Sequence, residues 1–147
     1  RPLQKGRITI NDTLQNIFLI IYGAGMAFGA YMLATKPTIG NSTLAGTLCA
    51  VFLTFTTIQL LNEGPLMFLT NHSANLTGIQ VWWDLITAVV IAFFFIAPRA
   101  RAVGMNVVPW AILAGLTASI GLLAMCARLF WLESRLQKTT DAEPALA

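Results

Sequence analysis

Asp84 stands in the stretch VWWDLITAVVIAFFFIAPRARAVGM, residues 81–105, after two tryptophans and before a long uncharged run. The chain has only six acidic residues, and an ionised carboxylate inside a membrane segment is costly and a functional candidate for that reason. The chemistry open to it is ion pairing, cation binding or proton transfer. Arg128 closes a later apolar run, and a bundle of four spans would bring it to the same side as Asp84. Glu63 and Glu133 fall on that side too. Asp84, Arg128, Glu63 and Glu133 therefore define a candidate interfacial polar cluster, in which an Asp84–Arg128 pair would lock two helices or cap a polar pocket. The plainer reading is a wet carboxylate early in its helix, favoured by the positive end of the helix dipole and flanked by Trp82 and Trp83 at headgroup level. No second deep acid or histidine continues a proton path.

Other reactive side chains are sparse. His72 is the one histidine, and it stands in the polar stretch TNHSANLTG. A haem held between helices takes two axial ligands, which this sequence does not offer. Cys49 and Cys126 both fall in apolar runs. With one histidine they do not complete a four-ligand zinc site, and four spans would put them in opposite leaflets, without a disulfide. No nucleophile set or cofactor motif stands out, and there is no run of Lys and Arg to address a nucleic acid. The sequence is read as non-enzymatic, with no cofactor, no metal and no nucleic-acid partner.

The elements that must position these residues are membrane spans. Of the 147 residues, 56% are hydrophobic and 10% charged, and mean hydropathy is +0.71. Soluble domains carry about 25% charged residues, so the lipid bilayer is the natural solvent. Four apolar stretches, at about 14–34, 44–61, 79–97 and 107–131, each approach the ~20 residues that cross a hydrocarbon core. Backbone in lipid must bond internally, so they are helices. The expected fold is all-α: one domain, a bundle of four transmembrane helices, with a polar tail at 132–147. Asn11, Asp12 or Thr13 would cap the first span, NEGP would end the second, Pro98 would end the third, and Pro109 would sit in the first turn of the fourth. Between spans two and three, the apolar residues 66–69 would lie in or dip into the interface. Sequons at Asn11, Asn41, Asn71 and Asn75 cannot all be used, because Asn41 would face the other side.

Small residues at helical spacing supply packing faces: Gly25 and Gly29 in the first span, Ala45 with Cys49 and Gly46 with Ala50 in the second, and Ala111, Gly115 and Ser119 in the fourth. Such spacing lets membrane helices approach closely, within this bundle or against another subunit or copy. Orientation signals conflict. Four spans place Arg1, Lys5, Arg7, Arg128, Arg135 and Lys138 on one side and Lys36, Arg99 and Arg101 on the other. That count favours cytoplasmic termini, while the connector 63–78, which has no Lys or Arg, and the tight PRAR turn argue the reverse.

From about Asn62 to Glu133 the order of features resembles a family of small bacterial integral membrane proteins with a domain of unknown function. The features are the acid in WWDL, the basic turn PRARAVGM, Trp110 opening the last span, Gly121 within it, and Arg128 and Glu133 closing it. The resemblance implies no activity; it adds weight to Asp84 and to Arg99 and Arg101. The chain departs from that pattern in its long glycine-rich first span and in the absence of an acid before the basic pair. The functional expectation is an accessory or structural subunit of a larger complex in the bacterial inner membrane: respiratory, photosynthetic or a membrane oxygenase. Its partners would be lipid and other membrane subunits or copies of itself. The alternative is a small oligomeric transporter or channel using Asp84, Glu63 and Arg128.

Overall fold

A computed structural model of the chain describes residues 10–35 and 40–142. Among these residues there are six helices and no strand. Three helices are long and apolar enough to cross a membrane, which is consistent with a multi-pass membrane protein. The chain divides into two compact units, Arg1–Thr38 and Ile39–Ala147. Arg1, Lys5, Arg7, Lys36 and the connector at 36–39 lie outside the described residues.

The first unit holds one helix, α1 (Ile10–Thr35), roughly 39 Å long at 1.5 Å per residue. It begins ahead of Asn11, Asp12 and Thr13, so none of the three is its cap. Apolar residues lie on all of its sides, and it is long and apolar enough to cross a membrane. Gly25 and Gly29 stand one turn apart on one face.

The second unit runs α2 (Ser42–Glu63), α3 (Pro65–Ser73), α4 (Leu76–Ala102), α5 (Val107–Thr117) and α6 (Ser119–Ala142). Asparagines start three of these helices. The side chains of Asn41, Asn75 and Asn106 accept backbone N–H groups of Leu44 at 3.0 Å, Gly78 at 2.8 Å and Val108 at 3.2 Å, satisfying donors a helix start leaves unpaired. Within α2, the hydroxyls of Thr54 and Thr57 donate to the carbonyls of Ala50 and Leu53, so they cross apolar surroundings already paired. Gly64, at φ +80°, ends α2 and Pro65 opens α3 at once.

Pro98 does not end the third apolar run. It lies inside α4, which continues to Ala102. The stop is Gly104, at φ +76°. The Gly104 N–H donates to the Arg101 carbonyl at 3.0 Å and the Met105 N–H to the Ala100 carbonyl at 2.9 Å, the paired bonds of a Schellman ending, which needs a residue comfortable in the left-handed region.

The fourth apolar run is where the structure departs most from expectation. It is not one span: α5 ends at Thr117, and Ala118 takes φ 49°, ψ −115°, a conformation that strains a side chain with a Cβ. Thr117 bridges the break. Its hydroxyl donates to the Leu113 carbonyl at 2.7 Å and accepts the Gly121 N–H at 3.0 Å. The two helices then fold against each other so closely that a Cβ on Gly121 would lie 2.6 Å from the Ala114 nitrogen. At 11 residues, α5 is about 16 Å long, half of a hydrocarbon core.

Helix α6 returns along α2. Phe130 lies against Gly40, ahead of α2, where a Cβ on the glycine would strike the ring. Deeper in, the Cys49 thiol donates to the Ile120 carbonyl at 3.5 Å. The core of the unit gathers at the same end, where Ala97 and Ala100 of α4, Val107 of α5, and Met125 and Leu129 of α6 are buried together. The segment 132–142, expected as a polar tail, is the continuation of α6.

Candidate functional site

The returning α6 decides which charged groups meet. Arg99, three residues before the end of α4, reaches Glu133 on α6. Its Nε donates to Oε1 at 3.0 Å and its Nη2 to Oε2 at 2.8 Å. Such a two-pronged bond is the geometry in which arginine holds a carboxylate best. Glu133 is 15% exposed and Arg99 45%, so the pair sits at the edge of the core rather than inside it. The Arg99 guanidinium also lies 5.7 Å from the centre of the Phe130 ring.

Next to this pair, Arg128, Trp131, Arg135 and Lys138 follow one another along α6 at steps of three, four and three residues. That spacing keeps them on one face. The Arg128 guanidinium is 4.6 Å from the Trp131 ring centre and the Arg135 guanidinium 4.4 Å, so one indole is flanked by two cations. Both arginines are exposed.

The expected cluster of Asp84, Arg128, Glu63 and Glu133 is not brought together. Glu133 pairs with Arg99, fifteen residues along α4 from Asp84, a distance of about 22 Å. Arg128 belongs to the same end as Arg99. The expectation failed because it assumed a continuous fourth span, and the break at Ala118 sends Arg128 and Glu133 the other way. Glu63 is exposed at the end of α2.

Asp84 also loses its expected dipole support. Helix α4 starts at Leu76, so Asp84 is eight residues, about 12 Å, in, beyond the first turn over which the helix end acts. It heads no pair among the described residues. It belongs instead to an exposed polar stripe, Thr77, Gln80, Asp84 and Thr87, again spaced by three, four and three. Trp82 faces elsewhere, its ring 5.4 Å from that of His72 on α3. With Leu69, Ser73 and Ile79 these two line a small, mostly apolar cavity of about 170 Å³. A Cβ on Gly78 would lie 2.9 Å from the His72 carbonyl oxygen, so glycine is what lets α3 fold onto α4.

The small-residue faces separate into used and open ones. Ala45 is buried and Cys49, one turn on, bonds to α6; this pair seats α2 on its neighbour. Around Gly46 and Gly115 the places a Cβ would occupy have nothing within 4 Å. Ser119 does not share a face with Ala111 and Gly115, because the break lies between them. Cys49 and Cys126 are free. Among the described residues no three His, Cys, Asp or Glu side chains gather to hold a metal ion.

The stripes and the paired asparagines were missed in the sequence for one reason. The stripes are read from spacing within a helix and the caps from a position just before one, and both are legible only once the helix limits are known. No protein-family model, curated protein or solved structure matches the chain.

Proposed function

We propose that this protein is a non-catalytic subunit of a larger membrane assembly, contributing helix surface rather than chemistry. One observation carries the reading. A whole span, α1, forms a unit by itself, with Gly25 and Gly29 marking a face on which another helix can approach closely. The open small-residue surfaces at Gly46 and Gly115 extend the same logic to α2 and α5. A respiratory, photosynthetic or oxygenase complex of a bacterial inner membrane would supply such partners. The test is extraction from the native membrane in mild detergent, a native gel, and mass spectrometry of what migrates with the chain. A stoichiometric set of larger subunits is expected. A small homo-oligomer alone overturns the reading.

The orientation we propose puts the end with Arg99, Arg101, Arg128, Arg135 and Lys138 in the cytoplasm. These are all the lysines and arginines of residues 40–142, and with α6 returning they share one end, as the positive-inside rule requires. Single cysteines at positions 101 and 138, in a background without Cys49 and Cys126, are expected to react with an impermeant thiol reagent from the same side. Labelling from opposite sides means that α5 and α6 form one continuous span.

The polar stripe of α4 favours one second reading, an oligomeric transporter or channel with Thr77, Gln80, Asp84 and Thr87 along a wet path. Glu63 and Arg128 take no part in it. Asp84→Asn is then expected to abolish flux in liposomes while leaving the assembly unchanged, and flux equal to that of the parent protein removes the reading.

A further inference from the structure

The cationic face of α6 has a property that neither the assembly role nor the ion pair uses. Arg99 is engaged with Glu133. Arg128 and Arg135 make no ion pair among the described residues; they stack on Trp131 and both remain exposed. Stacking holds two flexible side chains against one ring without neutralising them.

Their level in the molecule is set by the packing. Phe130 lies against Gly40, just ahead of α2, and α2 is a helix of membrane-crossing length. Trp131 therefore stands where an apolar span begins. From Arg128 to Arg135 is about 10 Å of helix, enough to cross the roughly 5 to 8 Å of headgroup layer on one side of a bilayer. Tryptophan and arginine are the residues that settle in that layer, the ring in its apolar part and the charge in its wet part. Lys138 continues the face outward, with Asp141 beyond it.

We propose that Arg128, Trp131 and Arg135 form a binding face for the phosphate of anionic lipid headgroups in the leaflet at this end of the protein. Two guanidiniums held against one indole present donors to phosphate oxygens, and the indole lies along the glycerol and upper chain region. The opposite end of the unit, from Glu63 to Gln80, contains no lysine or arginine, so the preference belongs to one leaflet. The proposal rests on the membrane reading alone and stands whether or not the chain joins a larger assembly.

The experiment uses the full chain in detergent with phosphatidylglycerol or phosphatidylcholine added, and counts bound lipid by native mass spectrometry. Phosphatidylglycerol is expected to be retained over phosphatidylcholine. The double variant Arg128→Gln with Arg135→Gln is expected to lower that retention on the order of tenfold, as fits the loss of two cations at an anionic surface. Arg101→Gln, which removes a charge at the same end but off the stripe, is expected to change it less than about twofold if position decides. Should the double variant not fold, each single variant is expected to give a loss of roughly threefold. Equal retention of the two lipids overturns the proposal, as do single variants without effect. So does an Arg101→Gln loss as large as that of the stripe variants, which would mean bulk charge rather than a face. Displacement of the lipid by millimolar inorganic phosphate also overturns it, because the face would then be a soluble-anion site.

Discussion

At one end of the α2–α6 unit a carboxylate, Glu133, is mostly covered and takes two hydrogen bonds from Arg99. At the other end a carboxylate, Asp84, stands exposed on α4 with Thr77, Gln80 and Thr87 along its face and no ion pair among the described residues. Both are single acids next to apolar spans. What separates them is chain direction. The turn at Ala118 sends α6 back toward the end of α4, and every lysine and arginine of the unit gathers there. A paired acid and an open acid are thus consequences of one strained backbone position. The paired end has a core and a fixed geometry; the open end has an exposed polar stripe.

The comparison breaks most severely at Gly121. A side chain there meets the backbone of Ala114 at 2.6 Å, and backbone cannot give way as a flexible side chain can. Gly121→Leu is expected to cost at least about 3 kcal/mol, the upper range for forced overpacking. Thermal unfolding in detergent measures it. If the variant unfolds like the parent, the hairpin is not the resting arrangement, and the gathering of charge at one end goes with it.

A second, smaller effect is expected at the ion pair. Glu133→Ala removes both bonds to Arg99 and is expected to destabilise by about 1 to 2 kcal/mol, above an ordinary surface pair because the bond is two-pronged and the carboxylate mostly covered. Arg99 is half exposed and finds water or headgroups when released, which keeps the loss at this level. The parent's stability is expected to fall modestly with added salt, through screening, and that of the variant to fall less. No change on substitution would make the two ends energetically alike.

Ala118 sharpens the comparison in the other direction. A residue with a Cβ held at φ 49°, ψ −115° stores about 1 to 3 kcal/mol, part of which glycine would release, less its own greater loss of chain freedom. Ala118→Gly is expected to raise stability by about 1 kcal/mol or less, read from the same unfolding curves. A fall in stability would mean that the alanine methyl contributes packing that outweighs its strain.

Ala118 also shows where the sequence is legible and where it stops. Length and composition suffice for long apolar helices, and α1, α2 and α4 appear close to their expected places; they do not suffice for the fourth run, which is broken at Ala118. Gly104 and Gly64 are visible as glycines but not as stops, because a stop is defined by a dihedral angle that only neighbouring carbonyls explain. Pro98 misleads because a proline within an apolar helix removes one bond and need not end the helix. The break has no local signal: ILAGLTASIGLLAM has no proline and reads as uninterrupted apolar helix. The turn is fixed by tertiary contact, Gly121 against Ala114 and Cys49 against Ile120. Since the candidate cluster depended on the direction of α6, its membership was unreadable for the same reason. The caps fared differently: Asn41 and Asn75 drew notice as sequons, while their side chains serve the backbone.

The smallest expected effect tests the open end. Asp84 is exposed, lies beyond the helix-end field, and has no ion pair among the described residues. Removing its charge while keeping its shape, as in Asp84→Asn, is expected to change stability in detergent by no more than about 0.5 kcal/mol. The same substitution in a bilayer asks a different question. A carboxylate facing hydrocarbon would be relieved by the change, and the variant would be stabilised by more than the detergent value. A carboxylate bathed by water, in the headgroup layer or along a path between copies, would gain nothing. Equal values in both solvents place the stripe in a wet setting. A large loss in the bilayer alone would reveal a partner that detergent strips away, and the open end would then prove to be an interface as specific as the paired one.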